Sequence, residues 1–428
     1  MKRYDSYKDS GVKWLGEIPS HWEMRKAKFL WKESFAVSET GKEELLSVSQ
    51  YDGVLPAKTN SRSESLKGYK KVYENDLVIN IMLAWLGGLG VSKFEGLVSP
   101  AYCTYKQIHD SNPRFLHYLY KTPLYLAEFA RHSTGVVPSR WRMYTDDFGQ
   151  VLTLLPPIKE QKAIANYLDA TTSKIDAAIA QQQKMIDLLN ERKQIIINNA
   201  VTKGLNPNVK MKPSGVDWIE DIPEHWEITK LKNVCQAFGR IGFRGYSTTD
   251  LVDEGEGCIT LSPSNMSDGN MQFGKCTYLS WKKYEESPEI KIFNGDILFV
   301  KTGSTYGKSA IVQNLPLEAT INPQLLVFKN LSCDNEFLAY VLQTNIIKTQ
   351  VELSVIGGTI PTISQQKILN YVIPTPPINE QKAIVHSIEK KCAPIYEAKK
   401  MSEFQISLLQ ERKQIIINDV VTGKVKVI

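Results

Sequence analysis

The chain has 428 residues, 42% of them hydrophobic and 23% charged, and a formal net charge of +6 at pH 7. These values are typical of a globular protein with two or three domains, and the mildly basic charge permits a nucleic-acid partner without establishing one. No apolar run is long enough to span a bilayer and no signal segment opens the sequence, so a cytoplasmic protein is expected. The six cysteines are scattered without a Cys-x-x-Cys pair, so neither a disulfide framework nor a metal site is predicted.

The first predicted element is a short tryptophan-rich opening that the chain repeats. Residues 11–23 match residues 215–227 at eight of thirteen positions. Each copy has two tryptophans and one histidine: Trp14, His21 and Trp22, then Trp218, His225 and Trp226. The tryptophans could stack on bases, but large aromatic residues in a proline-containing turn usually hold a loop on a hydrophobic core. We favour this structural interpretation, and extend it to the histidines because no further metal ligand lies at ligand spacing.

A variable body follows the opening and is predicted to be mixed α/β. Residues 76–82 predict a strand that leads into the glycine-bearing loop 87–90. A helix is predicted over 113–131 and a polar loop over 134–142, and a final strand runs into Pro156.

A long helix is predicted next, because two blocks of sequence return at one fixed offset. Residues 156–164 return as 376–384 with eight of nine positions identical, and residues 188–198 return as 408–418 at the same offset. Surface loops tolerate insertion, whereas a packed helix cannot change length without rotating its buried face. A Pro-Pro start with Glu160 or Glu380 in the first turn suits the positive end of a helix. We call this shift, by which position 156 corresponds to position 376, the repeat offset.

Each predicted helix carries a heptad stripe, with members alternately four and three residues apart. The first stripe is Ile164, Leu168, Thr171, Ile175, Ala178, Gln182, Met185, Leu189, Arg192 and Ile196. The second is Ile384, Ile388, Lys391, Ile395, Ala398, Ser402, Gln405, Leu409, Arg412 and Ile416. The polar members would weaken a free dimer, so we expect two antiparallel helices in a rod roughly 60 Å long, with apolar surface left for a partner. The alternative is two ordinary amphipathic helices inside a globular core.

The second body follows the linker 205–212 and resembles the first. A strand at 295–300 leads into the loop 301–309, and Asp76 and Asp296 are related by the repeat offset, so the two strands are equivalent. A helix over 335–353, a polar loop over 357–366 and a final strand complete the body. This body is longer than the first, because the offset between the tryptophan-rich openings is smaller than the repeat offset between the helices.

No catalytic motif is found in either body. Residues 303–309 approach a phosphate-binding P-loop, but only three residues separate the two glycines, where the motif needs four. Dinucleotide, zinc-protease, nucleophile-elbow and amino-methyltransferase motifs are absent as well. We therefore predict no catalytic residues.

Two similar bodies held by rigid helices, and differing most in their loops, suit DNA half-sites separated by about one helical turn, roughly 34 Å. Cations in the loops can bind phosphates and polar side chains can contact base edges. The candidates in the first body are Lys58, Arg62, Lys67, Lys70, Lys71, Ser139, Arg140, Trp141 and Arg142. Those in the second are Arg240, Arg244, Tyr246, Lys301, Ser304, Tyr306, Lys308, Thr359, Thr362, Gln365 and Gln366. The prediction concerns the loops, since any single residue is more simply a solvated surface side chain.

Three motifs, each present twice around a variable body, resemble those of the specificity subunits of type I restriction-modification systems. They are Trp-x-x-x-Ile-Pro-x-His-Trp, Pro-Pro-Ile-x-Glu-Gln-x-x-Ile and Leu-Leu-x-Glu-Arg-Lys-Gln-x-Ile. The resemblance implies a noncatalytic α+β protein in which two long antiparallel coiled-coil helices join two target-recognition domains, with a pseudo-two-fold repeat. Each domain would bind one half of a split DNA sequence, and the helices would set the spacer between the halves.

The resemblance also implies partners on the long helices. Two adenine-N6 methyltransferase subunits and two ATP-driven restriction subunits would bind, and they rather than this chain would hold S-adenosylmethionine, ATP and magnesium. The residues expected to receive partners are Glu160, Gln161, Ile164, Leu189, Arg192, Glu380, Gln381, Ile384, Leu409 and Arg412. A system that methylates without a nuclease fits the repeats equally well.

The predicted boundaries place target-recognition domains at 1–155 and 206–375 and the long helices at 156–205 and 376–428. Two other classes of protein remain open. One is a noncatalytic protein-binding scaffold whose coiled-coil rod carries two ligand-binding domains. The other is an ATPase that uses the near-P-loop.

Overall fold

The computed structural model describes residues 2–58, 65–137, 140–355 and 361–427. The chain divides into two units, each containing one variable body and part of both long helices. Unit 1 consists of Met1–Gln183 and Glu403–Ile428, and unit 2 of Lys184–Ser402. Among the described residues, no helix is long and apolar enough to cross a membrane.

Unit 1 begins with short strands and ends its body with three helices. Its strands are β1 (Tyr7–Asp9), β2 (Glu17–Pro19), β3 (Glu23–Lys26), β4 (Trp31–Ser34), β5 (Leu46–Ser49), β6 (Gly53–Pro56), β7 (Lys70–Val72), β8 (Leu77–Asn80), β9 (Leu89–Val91), β10 (Gly96–Val98), β11 (Tyr102–Gln107) and β12 (Leu152–Leu155). Its body helices are α1 (Pro113–Tyr120), α2 (Pro123–Arg131) and α3 (Thr145–Gln150), and the first long helix is α4 (Ile158–Lys203).

Unit 2 repeats this order with extra strands. Its strands are β13 (Met211–Lys212), β14 (Ile222–Pro223), β15 (Glu227–Lys230), β16 (Gln236–Gly239), β17 (Leu251–Val252), β18 (Gly257–Leu261), β19 (Met266–Ser267), β20 (Asn270–Met271), β21 (Thr277–Ser280), β22 (Ile297–Val300), β23 (Ser309–Ile311), β24 (Ala319–Ile321), β25 (Leu325–Lys329) and β26 (Val372–Thr375). Its helices are α5 (Leu231–Val234), α6 (Trp281–Glu285), α7 (Asn335–Leu342), α8 (Asn345–Ser354), α9 (Gln365–Leu369) and the second long helix α10 (Ile378–Val421).

The main sheets of the two units have the same strand order. In unit 1 the order is β4-β11-β8-β9, and in unit 2 it is β16-β25-β22-β23 followed by β20 and β19. The pairs β3–β12 and β15–β26 are also equivalent, and both are antiparallel. The predicted equivalence of the strands at 77–80 and 297–300 is therefore confirmed, and the architecture is α+β as expected.

Both predicted long helices are confirmed, with 46 residues in α4 and 44 in α10. The core of unit 1 contains Ile164 and Leu168 from the start of α4 together with Val420 from the end of α10. The core of unit 2 contains Val201 from the end of α4 and Ile384 from the start of α10. In each unit the two helices therefore run antiparallel.

The buried face of α4 departs from the predicted heptad stripe in its second half. Ile175, Ile186 and Ile197 are buried, whereas Met185 is 48% exposed and Arg192 is exposed. A straight α-helix drifts by about 20° per heptad from a repeat of 3.5 residues per turn, and spacings of eleven residues follow the helix more closely. The stripe prediction was right at Ile175 but wrong at Met185 and Arg192, because it assumed a continuous heptad.

The structural interpretation of the tryptophan-rich openings is confirmed for their second tryptophans. Trp22 and Trp226 are fully buried, each in the core of its unit. His21 Nε2 lies 2.8 Å from Glu160 Oε2, and His225 Nε2 lies 2.8 Å from Glu380 Oε2. Each opening is thus fastened to the first turn of the long helix of its own unit.

Candidate nucleic-acid interface

In each unit two loops meet, and they do so at equivalent places. We call the two loops of unit 1 loop pair 1 and the two loops of unit 2 loop pair 2. Loop pair 1 comprises residues 81–88 after β8 and residues 134–137 and 140–144 before α3; loop pair 2 comprises residues 301–308 after β22 and residues 361–364 before α9. The Met143 N–H donates to the Ile81 carbonyl at 3.0 Å, and the Ile363 N–H donates to the Lys301 carbonyl at 2.9 Å. By the repeat offset, Met143 corresponds to Ile363 and Ile81 to Lys301. The same backbone hydrogen bond therefore joins the two loops in both units.

Loop pair 1 presents arginine and apolar side chains. The Trp85 and Trp141 rings, one from each loop, contact edge to face with centroids 5.3 Å apart. Thr134 and Arg142 exchange two backbone hydrogen bonds of 2.9 Å, and Arg140 is exposed. The exposed apolar side chains here, which the sequence analysis did not single out, are Met82, Leu86, Val136, Val137 and Tyr144. An alignment of residues 81–88 with the candidate loop 301–308 at the repeat offset would have indicated that residues 81–88 belong to the candidate site.

The lysines of the first body lie on nearby strands and loops. Lys58 and Lys67 are exposed, whereas Lys71 Nζ lies 3.2 Å from Glu43 Oε1. A hydrogen bond from Ser38, helped by Lys71, lowers the pKa of Glu43 to about 2. Lys70 Nζ lies 3.8 Å from a carboxylate oxygen of Glu33, and the Thr145 hydroxyl donates to the same carboxylate at 2.6 Å. Glu33 thereby lies between Lys70 and the first residue of α3. Arg62 and Ser139 lie outside the described residues.

Arg240 and its neighbours form a buried connection at the end of β16. The Arg240 guanidinium donates to the Ile321 carbonyl at 3.0 Å and to Thr320 Oγ1 at 2.9 Å, and the side chain is buried. Its Cζ lies 5.2 Å from the centre of the Tyr246 ring, and Arg244 Nη1 lies 3.3 Å from Glu289. All three candidates thus have partners inside unit 2, and their contact with DNA stays a prediction.

Loop pair 2 is held by backbone bonds and presents polar side chains. Thr302 and Thr362 form a β-bridge, and the Gly303 N–H donates to the Pro361 carbonyl at 3.1 Å. Lys301 is half-buried, and burial lowers its pKa. Ser304, Thr362, Gln365 and Gln366 are exposed or partly exposed, and Tyr306 is half-buried.

Two further candidates at loop pair 2 bind backbone groups. Lys308 Nζ donates to the Met266 carbonyl at 2.6 Å, and Gln365 Nε2 donates to the Ala237 carbonyl at 2.7 Å. Gln365 thereby holds the start of α9 against β16. Thr359 lies outside the described residues.

The glutamines at the start of the long helices fasten each helix to its body. Gln161 accepts from the Asn112 N–H at 2.8 Å and donates to the Pro156 carbonyl at 2.7 Å. Gln381 accepts from the Asp334 N–H and donates to the Pro376 carbonyl, both at 2.8 Å. Asn112 and Asp334 are the N-cap residues of α1 and α7.

The neighbouring glutamates also bind side chains of their own unit. Glu160 accepts from Tyr4 as well as His21, and Glu380 accepts from Trp226 Nε1 at 3.1 Å as well as from His225. These glutamates and glutamines already bind groups of their own unit. That they also bind a partner stays a prediction.

The remaining predicted partner-binding residues differ in exposure. Ile164 and Ile384 are fully buried, Leu189 and Leu409 are half-buried, and Arg192 and Arg412 are exposed. Apolar neighbours that the sequence analysis missed are about half exposed: Leu188, Ile195, Leu408 and Ile415. With the two arginines they form what we call the repeated helix face, Leu188, Arg192 and Ile195 on α4 and Leu408, Arg412 and Ile415 on α10. The three residues on α4 are identical to those on α10 at the repeat offset, and this identity was the signal in the sequence that could have indicated the face.

Comparison with known proteins finds similarity to one family. The family model described as type I restriction modification DNA specificity domain matches residues 223–400. The type I restriction enzyme MjaVIII specificity subunit of Methanocaldococcus jannaschii is 26% identical over 371 residues, covering 84% of this chain and 83% of that protein. The EcoBI specificity subunit of Escherichia coli is 24% identical over 330 residues, covering 74% of this chain and 67% of that protein.

A solved structure shares the fold. It concerns complex assembly and conformational transition of the type I R-M system, and it superposes with a TM-score of 0.64 at 14% identity, covering 95% of this chain and 99% of that chain. Residues 223–400 thus match a type I restriction modification DNA specificity domain, and most of the chain is similar in sequence to type I restriction enzyme specificity subunits.

Proposed function

We propose that the chain recognises a bipartite DNA sequence, with loop pair 1 and loop pair 2 each reading one half-site and the long helices setting the spacer. The observation that carries this proposal is the equivalence of the loop pairs. The same backbone connection supports both, yet loop pair 1 presents arginines and tryptophans, whereas loop pair 2 presents hydroxyl, tyrosine and lysine groups beside the amides at the start of α9. Equal scaffolds with different side chains suit two different half-sites.

The repeated helix face supports binding of two copies of one partner. The same leucine, arginine and isoleucine are exposed on α4 and again on α10. Exposed apolar residues at positions i and i+7 form a seam that another helix or groove can cover. We assign the partner as an adenine-N6 methyltransferase subunit, with ATP-driven restriction subunits joining the complex. S-adenosylmethionine, ATP and magnesium would be held by those subunits.

Selection from random DNA tests the reading of half-sites. The chain with its methyltransferase partner should enrich a split sequence, and binding should weaken as salt rises. Replacing Arg140 and Arg142 by alanine should relax one half-site and leave the other unchanged. Arg25→Ala is a matched control, because Arg25 is exposed on β3 and pairs with Glu23. Enrichment of an unsplit sequence, or loss of both half-sites together, would contradict the proposal.

Sedimentation of the assembled complex tests the helix face. Leu188→Ser with Ile195→Ser should remove one methyltransferase copy, and Leu408→Ser with Ile415→Ser should remove the other. Leu353→Ser is the control, since Leu353 is 69% exposed on α8. A full complex in both double variants would show that the partner binds elsewhere.

A further inference from the structure

A cleft of about 410 Å³ in unit 2 lies where α4, the junction of α7 and α8, and the loop before β23 meet. Ligand sites in proteins have volumes of about 300–1,000 Å³. Its polar lining includes Asn190, Lys193, Asp268, Lys308, Ser309 and Lys348. We propose that this cleft, called here the oxyanion cleft, binds a phosphate group.

The Ser309 hydroxyl is the first observation that points to a ligand. Ser309 is 4% exposed, and its Oγ has no hydrogen-bond partner among the residues that the structure describes. Side chains alternate along a strand, and Ile311, two residues on, belongs to the core that includes Leu342 and Val351 of the cleft wall. Ser309 therefore points to the cleft side of β23. A buried hydroxyl without a partner is costly, so a ligand that accepts its hydrogen bond is favoured.

The charges around the cleft favour an anion. Lys193, Lys308 and Lys348 line it, against one carboxylate, Asp268. That carboxylate is neutralised, because Oδ1 lies 3.4 Å from Lys193 Nζ and Oδ2 lies 2.8 Å from Lys399 Nζ. Lys308 gives one hydrogen bond to the Met266 carbonyl and retains two further N–H donors. Lys348 is exposed at the rim.

The start of α8 lies at the edge of the cleft. Thr344, which lines the cleft, is the N-cap of this ten-residue helix, and its side chain makes no capping hydrogen bond. The hydroxyl donates to the Val341 carbonyl at 2.6 Å, as the Thr122 hydroxyl of unit 1 donates to the Leu119 carbonyl at 2.7 Å. In unit 1 the equivalent Thr122 does cap α2, accepting from the Tyr125 N–H at 3.4 Å. The Asn345 N–H donates to Asn198 Oδ1 at 3.4 Å, and the positive end of the α8 dipole favours an oxyanion nearby.

Unit 1 has different side chains at the corresponding place. By the repeat offset, Ser309 corresponds to the fully buried Leu89, and Lys308 to Gly88. Counted from the N-caps, Lys348 corresponds to Leu126, which packs against the core of unit 1. In unit 1 leucines thus stand in place of Ser309 and Lys348, and the nearby Lys121 ammonium donates to the Gln50 and Gly87 carbonyls. The buried hydroxyl and the rim ammonium of Lys348 are therefore specific to unit 2.

Calorimetric titration of the full chain with inorganic phosphate, at constant ionic strength, tests the proposal. One site per chain is expected, and Ser309→Ala and Lys348→Leu should each weaken binding by about tenfold or more. Lys282→Met, on the exposed face of α6, should bind as the unaltered chain does. Phosphate should also raise the urea midpoint of the unaltered chain but not of Ser309→Ala, which separates lost binding from misfolding.

Duplex DNA distinguishes two sources of the phosphate. If DNA displaces inorganic phosphate and Ser309→Ala weakens DNA binding, the ligand is a backbone phosphate. If both bind independently, the ligand is a small phosphorylated molecule, and nucleoside monophosphates should compete with inorganic phosphate. Absence of both heat and protection, in a chain that still selects its DNA sequence, would overturn the oxyanion cleft and leave the proposed DNA recognition intact.

Discussion

Substitution of Gln161 by leucine tests how the long helix is fastened to the body of unit 1. Leucine keeps a similar volume but leaves the Asn112 N–H and the Pro156 carbonyl without their present partners, and both residues are buried. An unsatisfied buried group costs about 1–3 kcal/mol, so two such groups should reduce the free energy of unfolding by about 3 kcal/mol. Gln381→Leu should have a similar effect on unit 2, because its two hydrogen bonds are equivalent.

Urea denaturation followed by tryptophan fluorescence measures this loss. With a denaturant dependence of about 3 kcal/mol per M, the midpoint of the affected unit should fall by about 1 M. Gln161→Glu is a matched variant: an ionised carboxylate can accept from Asn112 but repels the Pro156 carbonyl, so its deficit should shrink as pH falls and the side chain becomes protonated. Lys162→Ala, at the exposed neighbouring position, is the control. If Gln161→Leu lowers the midpoint no more than Lys162→Ala does, the glutamine does not hold the helix.

Two further predictions concern buried side chains. Burial lowers the pKa of His117 to about 4 from its ordinary value of 6.5. The unfolded chain therefore takes up a proton at higher pH than the folded chain does. The free energy of unfolding should fall by up to about 3 kcal/mol as the pH drops from 6.5 towards 4. His117→Asn keeps an acceptor for the Val91 N–H and should flatten this part of the stability profile relative to the unaltered chain; parallel profiles would contradict the assignment. Arg240→Met removes the guanidinium bonds to Ile321 and Thr320 and should cost unit 2 about 2 kcal/mol, seen as a melting temperature lower by several degrees. An unchanged melting temperature with altered half-site selection would instead assign Arg240 to DNA contact.

The positions of the loops were predictable from the sequence, but the exposure of their side chains was not. Arg140 and Ser304 are exposed in their loop pairs as expected, but Arg240 is buried against Thr320, which is distant in sequence. Whether a cation in a loop faces solvent or a neighbouring strand depends on contacts that no local pattern contains. The same reason explains why Gln161, predicted to meet a partner, is bound to the N-cap of α1.

The sequence by itself determined the doubled architecture of this protein, because a repeat of fixed length is visible in one dimension and a packed helix cannot change length freely. It also determined the equivalent strands at 77–80 and 297–300 and the absence of recognised catalytic motifs. Only the tertiary structure decided that the end of α4 completes the core of unit 2, and that the end of α10 completes the core of unit 1. It also decided which loops meet, and that Ser309 lines a cleft where Leu89 is fully buried. These outcomes depend on contacts between residues far apart in the chain, and side-chain packing rather than local periodicity sets them.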